Sequence, residues 1–230
     1  MKRYLITGAS RGIGRAIAAK LAAQGTTLIL HGRDKEALGR TREIVEAKGA
    51  QAVLLCHDLS DPSVIQDMVS ALGDARLDAL INNAGVAFVK PLEQLSLDEW
   101  QRTLAVNVTA PFLLTQQLLT RLGRGSTIVN ISSIAAKTGF PNWSSYSMSK
   151  FALEGFSQSI REELRPKGIR VVNIYPAATN TEIWEGIEGE WPRDKMLQAQ
   201  ETAAAVAYAL ARPAEVAVEN ITVQNVGGTL

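Results

Sequence analysis

A doubly wound α/β sheet is the fold this sequence predicts, and three observations predict it. Short apolar runs alternate with longer amphipathic stretches along the chain; the runs "TLILH", "AVLLC" and "TIVNI" are apolar nearly throughout; and a glycine-rich turn, "ITGASRGIG", closes the first run. Strand, helix and strand repeated in this way imply parallel strands joined by crossover helices, and a parallel sheet covered on both faces has no polar side. With 230 residues, 46% of them hydrophobic and 20% charged, one substantial core is affordable and two are not, so a single Rossmann-like domain over 1–230 is expected.

The elements follow in order. About seven strands are expected, over 3–7, 27–31, 51–56, 77–81, 126–131, 169–175 and 220–224, with helices on both faces between them. The first helix should run from Ile13 onward. Asp34 should cap the helix after the second strand, whose last histidine, His31, packs at the strand end. The stretches 97–122 and 147–165 are long enough to offer one face to the sheet and another to a partner. No low-complexity segment or internal repeat interrupts the pattern.

Composition excludes some functions. Lys and Arg number 24 against 23 Asp and Glu, so no global basic field argues for nucleic acid, and any phosphate recognition must be local. The single cysteine, Cys56, has no partner for a disulfide or a cysteine metal site and is expected to be a buried small apolar residue; no metal is expected. No run approaches 18 apolar residues and no signal-like segment follows Met1, so a soluble, cytoplasmic protein without a membrane partner is expected. Asn-X-Ser/Thr triplets at Asn107, Asn130, Asn142 and Asn220 are read as chance.

Ligands of open parallel sheets bind at the carboxyl ends of the strands, so the turns there should carry the chemistry. In the first such turn Gly8, Gly12 and Gly14 stand in the spacing G-x-x-x-G-x-G around Ser10, Arg11 and Ile13. Glycines let backbone N–H groups approach a diphosphate, and the helix that follows offers its positive N-terminal end.

Together with "NNAG" at Asn82 to Gly85 and "YSMSK" at Tyr146 to Lys150, this turn resembles the short-chain dehydrogenase/reductase family, in that family's order and spacing over nearly the whole chain. The resemblance implies a catalytic set of Asn107, Ser133, Tyr146 and Lys150, with Asn107 kinking a helix and linking the lysine through water to solvent. It also implies that Asn83, Ala84 and Gly85 border the cofactor ribose, that Asp58 and Leu59 contact the adenine, and that Pro176, Thr179 and Thr181 border the nicotinamide. Homodimers or homotetramers are the family's habit. Ser132 competes with Ser133, Asp58 could instead cap the next helix, and Asn107 could simply bond to backbone.

Elementary chemistry supports part of this. Tyr146 and Lys150 are four apart on a helical stretch and so share a face, where a cation is expected to favour the phenolate of a group with an ordinary pKa of about 10. At the end of the second strand, in "LILHGRDK", Gly32 stands where an acid would accept the adenosine ribose hydroxyls, and Arg33 follows it. An arginine there can bind a 2′-phosphate bidentately, with Arg11 reaching it from the glycine turn, so NADPH/NADP+ is the expected cofactor. The expected reaction is hydride exchange between a ketone or aldehyde and an alcohol, a small-molecule carbonyl reductase activity; the alternative is an NADP(H)-binding redox sensor without turnover.

The sequence departs from the family in two places. Pro176 is followed by Ala177 where glycine is common, and "ITVQNVGG" lacks the aspartate before its glycines. A lid over about 182–200 should cover the substrate, and its Trp184 and Trp191 could line the pocket or anchor the lid. Pro141, Asn142 and Trp143 could border the pocket too.

Overall fold

The computed structural model describes residues 1–228. Among these residues nine strands occur in chain order: β1 (Lys2–Ile6), β2 (Thr26–Gly32), β3 (Gln51–Cys56), β4 (Ala79–Asn82), β5 (Thr127–Ile131), β6 (Arg170–Pro176), β7 (Thr179–Asn180), β8 (Leu197–Gln198) and β9 (Asn220–Val223). Seven of them form one parallel sheet in the order β3-β2-β1-β4-β5-β6-β9, while β7 and β8 pair separately. The sheet strands fall within two residues of their expected positions. Strand order reverses between β1 and β4, and the crevice above such a reversal is where open α/β sheets bind ligands.

Alternate side chains of each strand feed two apolar layers. Leu5, Ile29, Leu80 and Ile128 point to the side covered by α3 (Val64–Ala71), α5 (Ala110–Leu118) and α6 (Ser144–Leu164). Ile6, Leu30, Ile81 and Val129 point to α1 (Gly12–Leu21), α2 (Lys35–Glu46) and α7 (Ala199–Leu210). Asp34 caps α2 by accepting from the Ala37 N–H at 3.0 Å. No helix is long and apolar enough to cross a membrane among the described residues.

Four expectations are corrected. Strand β3 lies at the sheet edge, so its face is only half covered: Val53 is 41% exposed and Cys56, expected to be buried, is exposed, its thiol donating to the Arg33 carbonyl at 3.3 Å. The stretch 97–122 is not one helix. It is α4 (Leu97–Leu104), opened by a Ser96/Glu99 capping box, then a π turn over Ala105–Thr109, then α5. Pro111 has no N–H to return to the carbonyl of Asn107, so the helix widens there by one residue. Helix α6 begins three residues earlier than expected, at Ser144, which puts Tyr146 in its first turn. Asp58 does not cap the following helix; it closes a local turn by accepting from the Ser60 N–H at 3.0 Å.

A polar row crosses the otherwise apolar sheet. Asn82, Asn130, Asn173 and Asn220 lie in register on β4, β5, β6 and β9. Asn82 donates to Asn130 at 2.8 Å, Asn130 donates to Ser157 of α6 at 2.8 Å, and Asn173 donates to Glu154 of α6 at 2.9 Å. Arg161, one α6 turn further on, donates to the Val171 carbonyl at 3.1 Å. These bonds set the rotation and height of α6 on the sheet, because buried polar groups left unpaired are costly.

The glycine turn is compressed against its surroundings. A Cβ on Gly14 would lie 2.1 Å from the Gly8 carbonyl oxygen and 2.6 Å from the Asn83 amide nitrogen, so α1 can approach β1 only without a side chain there. Gly39, inside α2, has nothing within 4 Å of its Cβ position. We therefore expect Gly14→Ala to destabilise by about 3 kcal/mol through overpacking, and Gly39→Ala to stabilise by about 0.5–1 kcal/mol through helix propensity. Paired thermal and urea melts check both.

His31 has a larger part than strand-end packing. It is 2% exposed, its Nδ1 accepts from the Gly8 N–H at 3.4 Å and its Nε2–H donates to the His57 carbonyl at 3.2 Å. Burial, the main cause, lowers its pKa to about 4. Since unfolded chains protonate histidine near 6.5 and this one resists until about 4, stability should fall as pH drops through that window, by on the order of 3 kcal/mol from this group. Urea titrations between pH 7 and 4 should show that slope in the wild type and its loss in His31→Gln.

Candidate active site

One cleft runs over the carboxyl ends of the strands, and it gathers nearly every residue the sequence singled out. From the β3 end to the β6 end it passes Asp58 and Leu59, then Arg33, then the turn Gly8 to Ile13 with Ser10 and Arg11, then Asn83 to Gly85, then Ser133, Tyr146 and Lys150, and finally Pro176, Thr179 and Thr181. Two expected site residues do not border it. Gly14 lies beneath the turn, excluded by its contact with Gly8. Asn107, 1% exposed, lies behind Gly85.

The turn is built from β1 outward. Thr7 is buried, and its Oγ1 accepts from the Asn83 and Ala84 N–H groups at 2.9 and 3.0 Å, while the Asn83 side chain donates to the Thr7 carbonyl at 2.8 Å. This lock fixes the Asn82–Gly85 segment against the turn. Gly8 and Gly12 both have left-handed backbone, with φ of 66° and 54°, which side-chain-bearing residues rarely adopt. Helix α1 starts at Gly12 with no side-chain cap and no acid in its first turn. The Glu182 carboxylate lies close to that end, 3.5 Å from the Gly12 Cβ position and 3.9 Å from Arg15.

At the β2 end Arg33 is half exposed and 3.5 Å from Asp58, which is also 3.6 Å from Arg102. An acid does therefore stand at this end of the cleft, in the turn after β3 rather than on β2. A Cβ on Gly32 would sit 3.1 Å from the Ser10 Cβ, so this glycine is also required by the fit between β2 and the turn.

At the β5 end the tyrosine–lysine pair faces the cleft. Ser133 lies two residues past β5, accepts from the Ala135 N–H at 3.1 Å and reaches the Tyr146 phenol. Ser132 is 3% exposed with its hydroxyl unpartnered. Lys150 is 4% exposed and donates to the Ile131 carbonyl at 2.9 Å, with its ammonium 5.5 Å from the Tyr146 ring centre. The expected lowering of the tyrosine by the lysine is not found: burial pushes the Tyr146 phenol up, and the Ser133 hydrogen bond only partly opposes it. Burial acts on the lysine as well, bringing it down to about 8. Desolvation dominates both groups, and the ammonium is spent on the Ile131 carbonyl.

Behind this pair the π turn places Asn107. Its Oδ1 accepts from the Val86 N–H at 2.9 Å, and its Nδ2 donates to the Val86 carbonyl at 2.9 Å and to Ser149 at 3.0 Å; Ser149 in turn donates to the Tyr146 carbonyl at 2.7 Å. Both the asparagine and the lysine ammonium lie against Gly85, at 3.5 and 3.9 Å from its Cβ position. Ser149, inside the Tyr-to-Lys motif, was not singled out from sequence, since nothing in its spacing tells which helix it meets.

The lid is ordered by its own pairing: β7 and β8 tie together the two ends of residues 182–196. Trp184 and Trp191 do both things considered for them, packing on each other and lining the cleft, where Trp143 joins them.

The comparisons with known proteins agree with this geometry. The family profile described as short chain dehydrogenase matches residues 2–190. L-2,3-butanediol dehydrogenase of Corynebacterium glutamicum is 37% identical over 199 residues, covering 82% of this chain and 76% of its own. A short chain dehydrogenase from Burkholderia cenocepacia in complex with NADP superposes with a TM-score of 0.88 at 32% identity over 96% of each chain. An alcohol dehydrogenase from the archaeon Thermococcus sibiricus, complexed with 5-hydroxy-NADP, gives 0.90 at 27% identity over 98% of this chain and 97% of that one. Because the profile spans the glycine turn, the Asn82–Gly85 lock and the tyrosine–lysine pair, and the relatives extend over most of the fold, the chain belongs to the short chain dehydrogenase family of oxidoreductases.

Proposed function

We propose that this protein is an NADPH-dependent oxidoreductase that interconverts a ketone or aldehyde and an alcohol. One observation carries the reading: Ser133, Tyr146 and Lys150 converge on the same cleft that begins, at its other end, with an uncapped helix start and two arginines. That cleft fits a dinucleotide phosphate. The backbone at Gly8 and Gly12 is bare where a diphosphate would need it, and α1 offers unpaired N–H groups without a competing cap. Arg33 and Arg11 would hold a 2′-phosphate, Asp58 and Leu59 the adenine, Asn83 to Gly85 and Lys150 the ribose, and Pro176, Thr179 and Thr181 the nicotinamide end. The NADP carried by the Burkholderia relative supports the choice of cofactor.

Bound there, NADPH would supply a hydride, that is a proton with two electrons, for the carbonyl carbon. Tyr146 supplies the matching proton to the carbonyl oxygen. Its raised pKa keeps the phenol protonated at neutral pH, so it is an acid ready for use in the reducing direction. Ser133 holds the same oxygen and so favours the charge that develops on it. Lys150 is charged below about pH 8 and lies between the ribose side and the phenol. Asn107 acts through Ser149, which pins the backbone of Tyr146. Exposed Phe112 on α5 and Phe151 on α6 support assembly as a homodimer or homotetramer.

For Tyr146→Phe we expect NADPH affinity within a few-fold of wild type and turnover lower by about 10²- to 10⁴-fold. Lys150→Ala should weaken both binding and turnover, and wild-type reduction should decline as pH rises through about 8, where that lysine loses its charge. Cofactor fluorescence titration and steady-state NADPH oxidation on a carbonyl panel measure these; near-normal turnover in Tyr146→Phe would overturn the mechanism.

Arg33→Ala should raise the KM for NADPH about tenfold to a hundredfold, the size of one lost charge-assisted contact, and leave NADH nearly unchanged. Added salt should mimic part of the loss in the wild type, because the contact is exposed. Equal losses with both cofactors would show that Arg33 serves the fold or the diphosphate instead.

A further inference from the structure

Three of the four tryptophans meet on one wall of the cleft. Trp143 immediately precedes α6, and Trp184 and Trp191 come from the lid; ring centres are 5.7 Å apart for Trp143–Trp184, 6.3 Å for Trp143–Trp191 and 4.7 Å for Trp184–Trp191. Trp143 also lies 5.4 Å from the Tyr146 ring, edge to face, so the wall adjoins the phenol that is proposed to donate the proton. Phe140, Ile187 and Met196 line the same end.

The indole N–H groups of the two lid rings are already used. The Trp184 indole N–H donates to the Thr179 carbonyl at 2.8 Å and the Trp191 N–H to the Ile187 carbonyl at 3.4 Å, so these rings have no donor left for a ligand. Arg193, the only arginine of the lid, is turned away: it donates to Asn180 at 2.7 Å and to the Thr181 carbonyl at 2.9 Å, and it does not line the cleft. The cationic side chains that do line it are Arg11 and Arg33, at the opposite end, and Lys150, held on the Ile131 carbonyl. A carboxylate or phosphate on the substrate would therefore be buried without a counter-ion, at a cost an anionic compound could not recover. A cation fits no better, because the three rings pack on one another in tilted and edge-to-face pairs and leave no opposed faces between which an ammonium could sit.

We propose that the substrate is an uncharged ketone, or its alcohol, carrying an aromatic or alicyclic ring beside the reacting carbon, with the ring lying on the wall of Trp143, Trp184 and Trp191. This rests on the oxidoreductase reading above and adds the substrate class to it. The wall places the ring, and Tyr146 beside Trp143 then meets the oxygen. Aromatic surface on aromatic surface gives both apolar burial and edge-to-face attraction.

The test uses the full chain with NADPH and three carbonyl compounds. Acetophenone against butanone isolates the ring, and acetophenone against benzoylformate isolates the charge. We expect kcat/KM for acetophenone to exceed each of the others at least tenfold. Trp184→Ala should lower the acetophenone-to-butanone ratio at least tenfold, whereas Trp184→Phe should keep most of it. Independently of turnover, 1-tetralol should quench the tryptophan fluorescence of the NADP+-loaded protein, and 2-butanol at equal concentration should not. Butanone or benzoylformate ahead of acetophenone, or an unchanged ratio in a folded Trp184→Ala, would overturn the substrate class while leaving the oxidoreductase reading standing. Absence of NADPH oxidation with every carbonyl would instead sink the oxidoreductase reading, and the quenching experiment would then judge the wall alone: no quenching by 1-tetralol overturns it.

Discussion

The seating of α6 on the sheet is the constraint on which the site depends. Tyr146 and Lys150 belong to the first two turns of a 21-residue helix, so any rotation of that helix would carry both away from Ser133, just past the end of β5. Apolar packing alone is tolerant of such rotation, since Ile160 and Leu164 could slide over other apolar neighbours. Hydrogen bonds from the asparagine row are not tolerant. Asn130 reaches Ser157, Asn173 reaches Glu154 and Arg161 reaches the β6 backbone, each within a few tenths of an ångström of ideal length. Satisfying these buried polar groups selects one docking of the helix.

The same logic, polar atoms completed by neighbours from distant segments, continues into the cleft. Thr7 holds the Asn83 and Ala84 N–H groups, His31 holds the Gly8 N–H, and Asn107 is held by Val86 while it holds Ser149. Each bond joins segments at least 20 residues apart, so the cleft is shaped by contacts between turns rather than within them. Burial then acts on the ionisable pair, raising the phenol and lowering the ammonium, and it keeps the tyrosine protonated, as the acid role proposed for it requires.

Charge is distributed along the cleft in the same way as the chemistry. Arg33 and Arg11 lie at the end above β2 and the glycine turn, whereas the wall of Trp143, Trp184 and Trp191 at the β6 end presents carbon and π surface. Asp58 tempers the basic end, 3.5 Å from Arg33. The two ends of one groove thus differ in charge, as the proposed pairing of an anionic cofactor with an uncharged substrate requires.

Much of this was legible in the residues themselves. Parallel-strand alternation, the glycine turn and the Tyr-to-Lys spacing are local patterns, set by backbone geometry over a few residues, and they located all seven sheet strands and most of the cleft. What tertiary structure alone decided depends on neighbours that are remote in sequence. Cys56 and Val53 look buried in "AVLLC" and are exposed because β3 is at the edge, which no strand can announce about itself. Tyr146 looked cation-tuned by its spacing to Lys150, yet burial decides the direction of its shift, since desolvation depends on everything packed around it. The roles of Gly32 against Ser10, of Ser149 beneath Asn107 and of three tryptophans brought together from two segments came likewise from packing. A single chain states its local conformational preferences directly; which surfaces meet, and which polar groups are thereby buried or satisfied, is settled only when the sheet and helices close over them.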